Sequence, residues 1–181
     1  MSSRISPRPS RGLGQSLVEF ALVLPIFLAI LIGMVDIGRA VWANNAVANA
    51  AREATRYAVV HGGSKENPCP VGPPVTTGQN QTEIPAASTS CPYPSPSKEG
   101  IREVARSFAI AGGTPMTVEV CYGIDCVGDT DGLGSDGLPA TNARGTPVTV
   151  RVTSQVPMIV PQLVGVTQIP VSATSTMLVN H

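Results

Sequence analysis

The longest uncharged stretch of the chain begins close to its N-terminus. The run Leu17–Val35 contains 19 residues, and Glu19 is the only charged residue among them. An α-helix needs about 20 apolar residues to cross the hydrocarbon core of a bilayer. Arg4, Arg8 and Arg11 precede the run, with no acidic residue among them. The pattern therefore predicts a membrane-spanning helix whose N-terminus lies in the cytoplasm.

The helical pattern continues beyond the apolar run. The segment Ile37–Val60 contains no proline, and Gly62-Gly63 predict the end of the helix. One helix from about Ser16 to Val60 would be roughly 68 Å long at 1.5 Å per residue. Small residues recur on one of its faces: Ala46, Ala50, Ala54 and Ala58, flanked by Ala43, Val47 and Ala51. Such a face allows close approach of another surface, either the sheet of this chain or a helix of a neighbouring subunit.

The periodicity changes from helical to alternating in the second half of the chain. Alternation with a period of two predicts strands over Thr114–Tyr122, Pro147–Val156 and Ile169–Val179. Residues 64–96 contain eight prolines and no period, so an irregular loop is expected there. Ser97–Ala111 predicts a short helix with one apolar face, formed by Ile101, Val104, Ala105 and Phe108. The expected class is α+β, with a small antiparallel sheet packed on the long helix.

The net charge of zero conceals an uneven distribution. Three arginines lie in the first 14 residues, which leaves nine basic and twelve acidic side chains in the remainder. Because no basic stripe remains that could follow a phosphate backbone, we do not expect the chain to bind nucleic acid.

The four cysteines, Cys69, Cys91, Cys121 and Cys126, all follow the predicted span, on the side of the membrane where disulfides persist. Three pairings are possible. We favour Cys121–Cys126, which closes a tight turn, together with Cys69–Cys91, which closes a proline-rich loop. The alternative is a four-cysteine zinc site, but the spacings lack the paired C-x₂-C units of common structural zinc sites.

The sequence offers little that would support catalysis. Its two histidines, His61 and His181, belong to no recognisable nucleophile arrangement, so we predict neither a catalytic site nor a cofactor. The acidic loop Asp125–Asp136 has two interpretations, a calcium site and a solvated turn. It begins like an EF-hand loop, but Leu133 and Ala140 stand where ligands belong, and we predict no metal site.

Glu19 is the most unusual residue of the apolar run, because a carboxylate at membrane depth is costly. It could simply reach the headgroups from the end of an ordinary anchor helix. However, Gly14 followed by four residues and then Glu19-Phe20 resembles the processing site of type IV-pilin-like precursors. The run Gly14–Pro25 is similar to the start of TadE-like proteins of the tight-adherence (Tad/Flp) class. Asp36–Arg39 and Ala51–Ala58 also fit that family.

The resemblance implies that a prepilin peptidase cuts after Gly14 and leaves Gln15 with a free α-amino group. Glu19 and Phe20 would then be the fifth and sixth residues of the mature chain. The carboxylate could neutralise the amine within a subunit or between subunits, since a paired charge is less costly in hydrocarbon than an isolated one. The protein would be the substrate of an enzyme and not itself an enzyme.

Together these expectations divide the chain into four parts. Residues 1–14 form a basic cytoplasmic leader and residues 15–36 a transmembrane segment. Residues 37–61 continue the helix outside the cytoplasm, and residues 62–181 form a disulfide-supported α+β domain. The arrangement expected from the resemblance is pilin-like, in the cytoplasmic membrane and in a surface pilus.

The expected function is that of a minor pseudopilin in a Tad pilus or secretion apparatus. The size of the extracytoplasmic part favours a minor over a major subunit. The implied partners are the prepilin peptidase, other pilins and pseudopilins, the inner-membrane assembly platform and the lipid bilayer. The alternative is an uncleaved, single-pass membrane-anchored surface domain that binds a ligand or partner.

Overall fold

The computed structural model describes residues 12–62, 69–73, 91–93, 97–109, 115–134, 137, 140–142, 144–159, 165 and 168–180. Within these ranges the chain forms two α-helices, α1 (Gly12–Val60) and α2 (Glu99–Phe108), and three β-strands. The strands are β1 (Met116–Tyr122), β2 (Pro147–Pro157) and β3 (Gln168–Leu178), joined in one antiparallel sheet with β2 in the centre. The predicted α+β class is confirmed.

Helix α1 unites the apolar run and the alanine-rich segment in one element of 49 residues. No described strand lies beside its first part, and the large apolar side chains from Leu17 to Val35 lie mostly exposed. Its second part packs on the sheet. One helix therefore serves both as the apolar N-terminal segment and as a layer of the domain.

The alanine face of α1 contacts the sheet of its own chain. Seven small residues of this face are buried: Ala43, Ala46, Val47, Ala50, Ala51, Ala54 and Ala58. Opposite them, alternate residues of the central strand are completely buried, namely Val148, Val150 and Val152. Because the face consists mainly of alanines, the helix approaches the sheet closely. Of the two partners that the sequence allowed for this face, the intrachain one is observed.

Two contacts fix the direction of β2 along α1. The Thr55 hydroxyl lies 3.3 Å from the Ser175 carbonyl oxygen, and Ser175 pairs with Val150. The Asp36 carboxylate accepts a hydrogen bond from the Ile159 backbone N–H at 2.9 Å. Asp36 and Thr55 are about 28 Å apart along the helix, and Val150 and Ile159 about 30 Å apart along an extended chain. The strand therefore runs lengthwise and antiparallel to the helix, and its last residues lie level with Asp36.

Helix α2 is shorter than predicted and its apolar face is narrower. Ile101 and Ala105 are fully buried, and Val104 is half-buried. Phe108 was expected on the same face but is 54% exposed, because α2 ends at this residue and Phe108 borders an open groove.

Some predictions fall outside the described residues. They are the leader up to residue 11, most of the proline-rich loop 64–96 and the helix-ending pair Gly112-Gly113.

Candidate processing and membrane segment

The residues predicted for processing lie in the first turns of α1. Gln15 and Glu19 are exposed, and Phe20 is 63% exposed. A Cβ atom built on Gly14 would meet no other atom within 4 Å, so open space surrounds this glycine. Nothing in the described part of the chain shields the bond between Gly14 and Gln15.

Gln15 and Glu19 are four residues apart in α1, which places them on the same side of the helix. Side chains at this spacing have their Cβ atoms about 5–6 Å apart. In a chain that began at Gln15, the α-amino group would stand at the start of the first turn and the Glu19 carboxylate one turn further on. The spacing therefore allows the proposed charge pair within one chain. Because both residues are exposed, it also allows a pair with a neighbour.

The segment that follows is the apolar part of α1. In the described residues it is the one helix long and apolar enough to cross a membrane, with a mean hydropathy of 2.6 and only 6% of the apolar window buried. An apolar helix surface that the protein leaves uncovered needs a non-aqueous surrounding. This segment therefore indicates membrane anchoring.

Asp36 ends the apolar run and is almost completely buried, with 4% of its surface exposed. One carboxylate oxygen accepts the Ile159 N–H, and the other lies 3.9 Å from a guanidinium nitrogen of Arg39. The residue thus ties the chain just after β2 to the helix at the point where the apolar run ends. The sequence placed Asp36 directly after the apolar run and within a segment that resembles the TadE-like family, but it predicted no partner for the carboxylate. A buried carboxylate beside an apolar segment generally has such a partner.

The acidic loop after β1 seals the outer edge of that strand. Gly123, at a φ of +102°, turns the chain back along β1. Asp129 then accepts the Val120 N–H at 2.8 Å, and Asp131 accepts the Tyr122 N–H at 2.9 Å. The loop is largely exposed, as a solvated turn would be, but these two carboxylates take the place of a neighbouring strand. They satisfy N–H groups that an edge strand otherwise leaves open.

Cations of α2 and its N-cap complete this arrangement. The Lys98 ammonium lies 2.7 Å from the Asp131 carboxylate, and Arg102 forms an ion pair with Asp129. Both acids are therefore occupied by N–H groups and cations of the chain. The described residues contain no group of three or more acidic, cysteine or histidine side chains that could hold a metal ion.

The cysteines form the pairs that the sequence favoured, Cys69–Cys91 and Cys121–Cys126. The second disulfide joins the end of β1 to the start of the acidic loop. Since all four sulfurs are in disulfides, no thiolate is left to bind zinc.

An open groove of about 400 Å³ lies between the C-terminal end of α1 and α2. Its lining is mainly apolar and aromatic, and the Tyr57 and His61 rings stack within it at a centroid distance of 4.0 Å. This groove could not be predicted from the sequence, because its lining comes from two helices that are far apart along the chain.

Comparison with known proteins gives one family. The family described as TadE-like protein matches residues 14–56, which include the predicted processing site, the apolar run and most of the buried alanine face. No curated protein and no solved structure matches the chain significantly.

Proposed function

We propose, with the TadE-like domain at residues 14–56 as the premise, that this chain is a minor pseudopilin of a Tad-type pilus or secretion apparatus. The observation that carries the proposal is the first part of α1. It combines an unshielded glycine, a carboxylate five residues later and an exposed apolar surface in one helix.

Processing is the first step of the proposed role. The arginine-bearing leader remains in the cytoplasm, and a prepilin peptidase cuts after Gly14. The cut removes the leader and creates an α-amino group on Gln15. Glu19 lies one helical turn away and offers this amine a carboxylate, either in the same chain or in a neighbouring subunit. An amine and a carboxylate that meet in a low-dielectric region each reduce the cost of placing the other there.

Assembly is the second step and depends on the exposed part of α1. The alanine face is already occupied by the sheet, so it offers no surface to a partner. The surface from Leu17 to Val35 is free for the bilayer, for other pilins and pseudopilins, and for the inner-membrane assembly platform. The role is structural and not enzymatic, in agreement with the generally structural character of this family.

Mass spectrometry of the chain from the membrane of its natural host tests the processing step. The expected mature chain begins at Gln15, and a chain that begins at Met1 or Ser2 would contradict the proposal. Gly14→Val should block cleavage, because a branched side chain crowds the bond to be cut. Gly33→Val is the matched control, since Gly33 lies in the same helix and also has open space around it. The control should be cleaved normally.

A Glu19→Gln variant tests the charge pair. It should insert and be cleaved, but recruitment of the subunit into the pilus apparatus should fall, because the neutral amide cannot compensate the amine. Glu53→Gln makes the same chemical change further along α1 and should have no effect. Normal assembly of Glu19→Gln would refute the pairing.

The alternative function, an uncleaved anchored domain that binds a ligand or partner, has one supporting observation, the groove between α1 and α2. Such a protein would keep its leader and would tolerate both Gly14→Val and Glu19→Gln. The same three measurements therefore separate the two functions.

A further inference from the structure

We propose that the end of the sheet nearest Asp36 is a membrane-docking surface that lies in the headgroup layer of the bilayer crossed by α1. This surface, the sheet base, consists of Pro157–Ile159, Gln168–Pro170 and the neighbouring helix residues Arg39 and Trp42. The proposal requires insertion of α1 but neither processing nor pilus assembly, so it can fail or succeed independently of those steps.

The position of the sheet base along α1 is the first argument. A hydrocarbon core of about 30 Å that begins at Leu17 ends near Asp36, about 20 residues later. The hydrogen bond between Asp36 and Ile159 places Ile159, two residues after the end of β2, at the same height. Because β2 runs lengthwise along α1, the rest of the sheet extends away from the membrane. Among the described residues of the domain, the sheet base is therefore the part nearest to the lipid.

The composition of the sheet base is the second argument. Ile159 is 50% exposed and Ile169 is 38% exposed, although both are apolar. The chain has no Asp, Glu, Lys or Arg after Arg151. Charged side chains are expensive at the border of the hydrocarbon, whereas isoleucine is favourable there. The residues that β2, β3 and Ile159 contribute to the sheet base thus have the composition of a surface in contact with lipid and not of a surface in bulk water.

Trp42 is the third argument. It is the only tryptophan of the chain and is 66% exposed on a part of α1 that carries the sheet. Helix side chains tilt towards the N-terminus of their helix, which here is the direction of the membrane. The indole ring would then reach the headgroup layer, where tryptophan is enriched in membrane proteins. Arg39 lies about one helical turn closer to the apolar segment, and its side chain is 43% exposed. This position suits contact with lipid phosphates.

A bilayer is the occupant that these observations favour over a second copy of the chain. The sheet base continues directly into the apolar segment of α1, and lipid must surround that segment if the helix is inserted. A protein partner would need its own membrane-level surface to reach the same place.

The test uses tryptophan fluorescence of the full chain in phosphatidylcholine vesicles. Trp42 serves as the natural probe, and Ile159→Trp in a Trp42→Phe background reports on the sheet base. Lipids brominated near the headgroup end of the acyl chain should quench both probes and more strongly than lipids brominated near the methyl end. Leu178→Trp in the same background is the matched control, because Leu178 is 61% exposed at the opposite end of the sheet. This control should show no quenching by lipid.

Three outcomes would overturn the proposal. The first is emission typical of a water-exposed indole ring from both Trp42 and Ile159→Trp, with no quenching by brominated lipid. The second is emission typical of tryptophan shielded from water at both positions, again without quenching by brominated lipid. This result would assign the sheet base to a protein contact such as a second copy. The third is failure of the chain to enter vesicles, which would also remove membrane anchoring. Loss of cleavage at Gly14 would change none of these readings, so failure of the proposed processing is distinguishable.

Discussion

Replacement of Ala54 by leucine should destabilise the domain, because α1 and the sheet leave no space for a larger side chain. Ala54 is 0% exposed and lies in the centre of the alanine face. Three additional carbon atoms must push the helix away from β2 and β3 or force neighbouring side chains out of their preferred rotamers. Overpacking of this kind costs about 1–3 kcal/mol. At about 4 °C for each kcal/mol, the melting temperature should fall by roughly 4–12 °C.

Asn45→Leu is the matched control, since it places the same leucine on the exposed side of the same helix. Leucine has a slightly higher helix propensity than asparagine, so this exchange should raise the unfolding free energy by no more than about 0.5 kcal/mol. Both variants can be compared in detergent by proteolysis over a temperature series, with cleavage within the strands read by mass spectrometry. Equal midpoints for the two variants would refute the packing argument. An Ala54→Leu chain that is fully stable but fails to assemble would assign the alanine face to a subunit contact.

Three other predictions follow from the domain. Burial, and then the charge of Asp131, raises the pKa of the Tyr122 phenol, so the unfolding free energy should decline above pH 10, where the unfolded tyrosine ionises. Tyr122→Phe should lessen this decline in alkaline urea titrations. Replacing Cys69 and Cys91 by serine should lower the unfolding free energy by about 3 kcal/mol in the same titrations, because the disulfide closes a loop of 22 residues. A double-mutant cycle of Lys98→Met and Asp131→Asn should give a coupling of about 1 kcal/mol, and additive effects would contradict the ion pair.

The long helix and the sheet could be predicted because their signals are local. The apolar run, the four-residue alanine spacing and the alternation from Met116 to Tyr122 each follow from a single periodicity. The disulfide pairing also followed from spacing along the chain. Phe108 was misassigned because its exposure depends on where α2 ends and not on its position in the helical repeat.

The roles of Asp36 and of the acidic loop could not be predicted from the sequence. The partner of Asp36 is Ile159, which lies 123 residues away. The strand partners of Asp129 and Asp131 are nearer in sequence, but they are the backbone N–H groups of Val120 and Tyr122, which leave no trace in residue identity. Carboxylates spaced two apart are found in solvated turns, which the sequence favoured here, and in calcium sites, and neither interpretation predicts hydrogen bonds to β1. Only the turn at Gly123 brings them to the edge of the strand.

The continuity of α1 through residue 36 has a mechanical consequence. The described helix contains no loop between its apolar part and the part that forms a layer of the domain. A force that lifts or rotates the apolar part is therefore transmitted directly to the sheet, and the Asp36–Ile159 hydrogen bond bears part of it at the point where the apolar run ends. The folded domain would rotate and translate together with its helix as one rigid body.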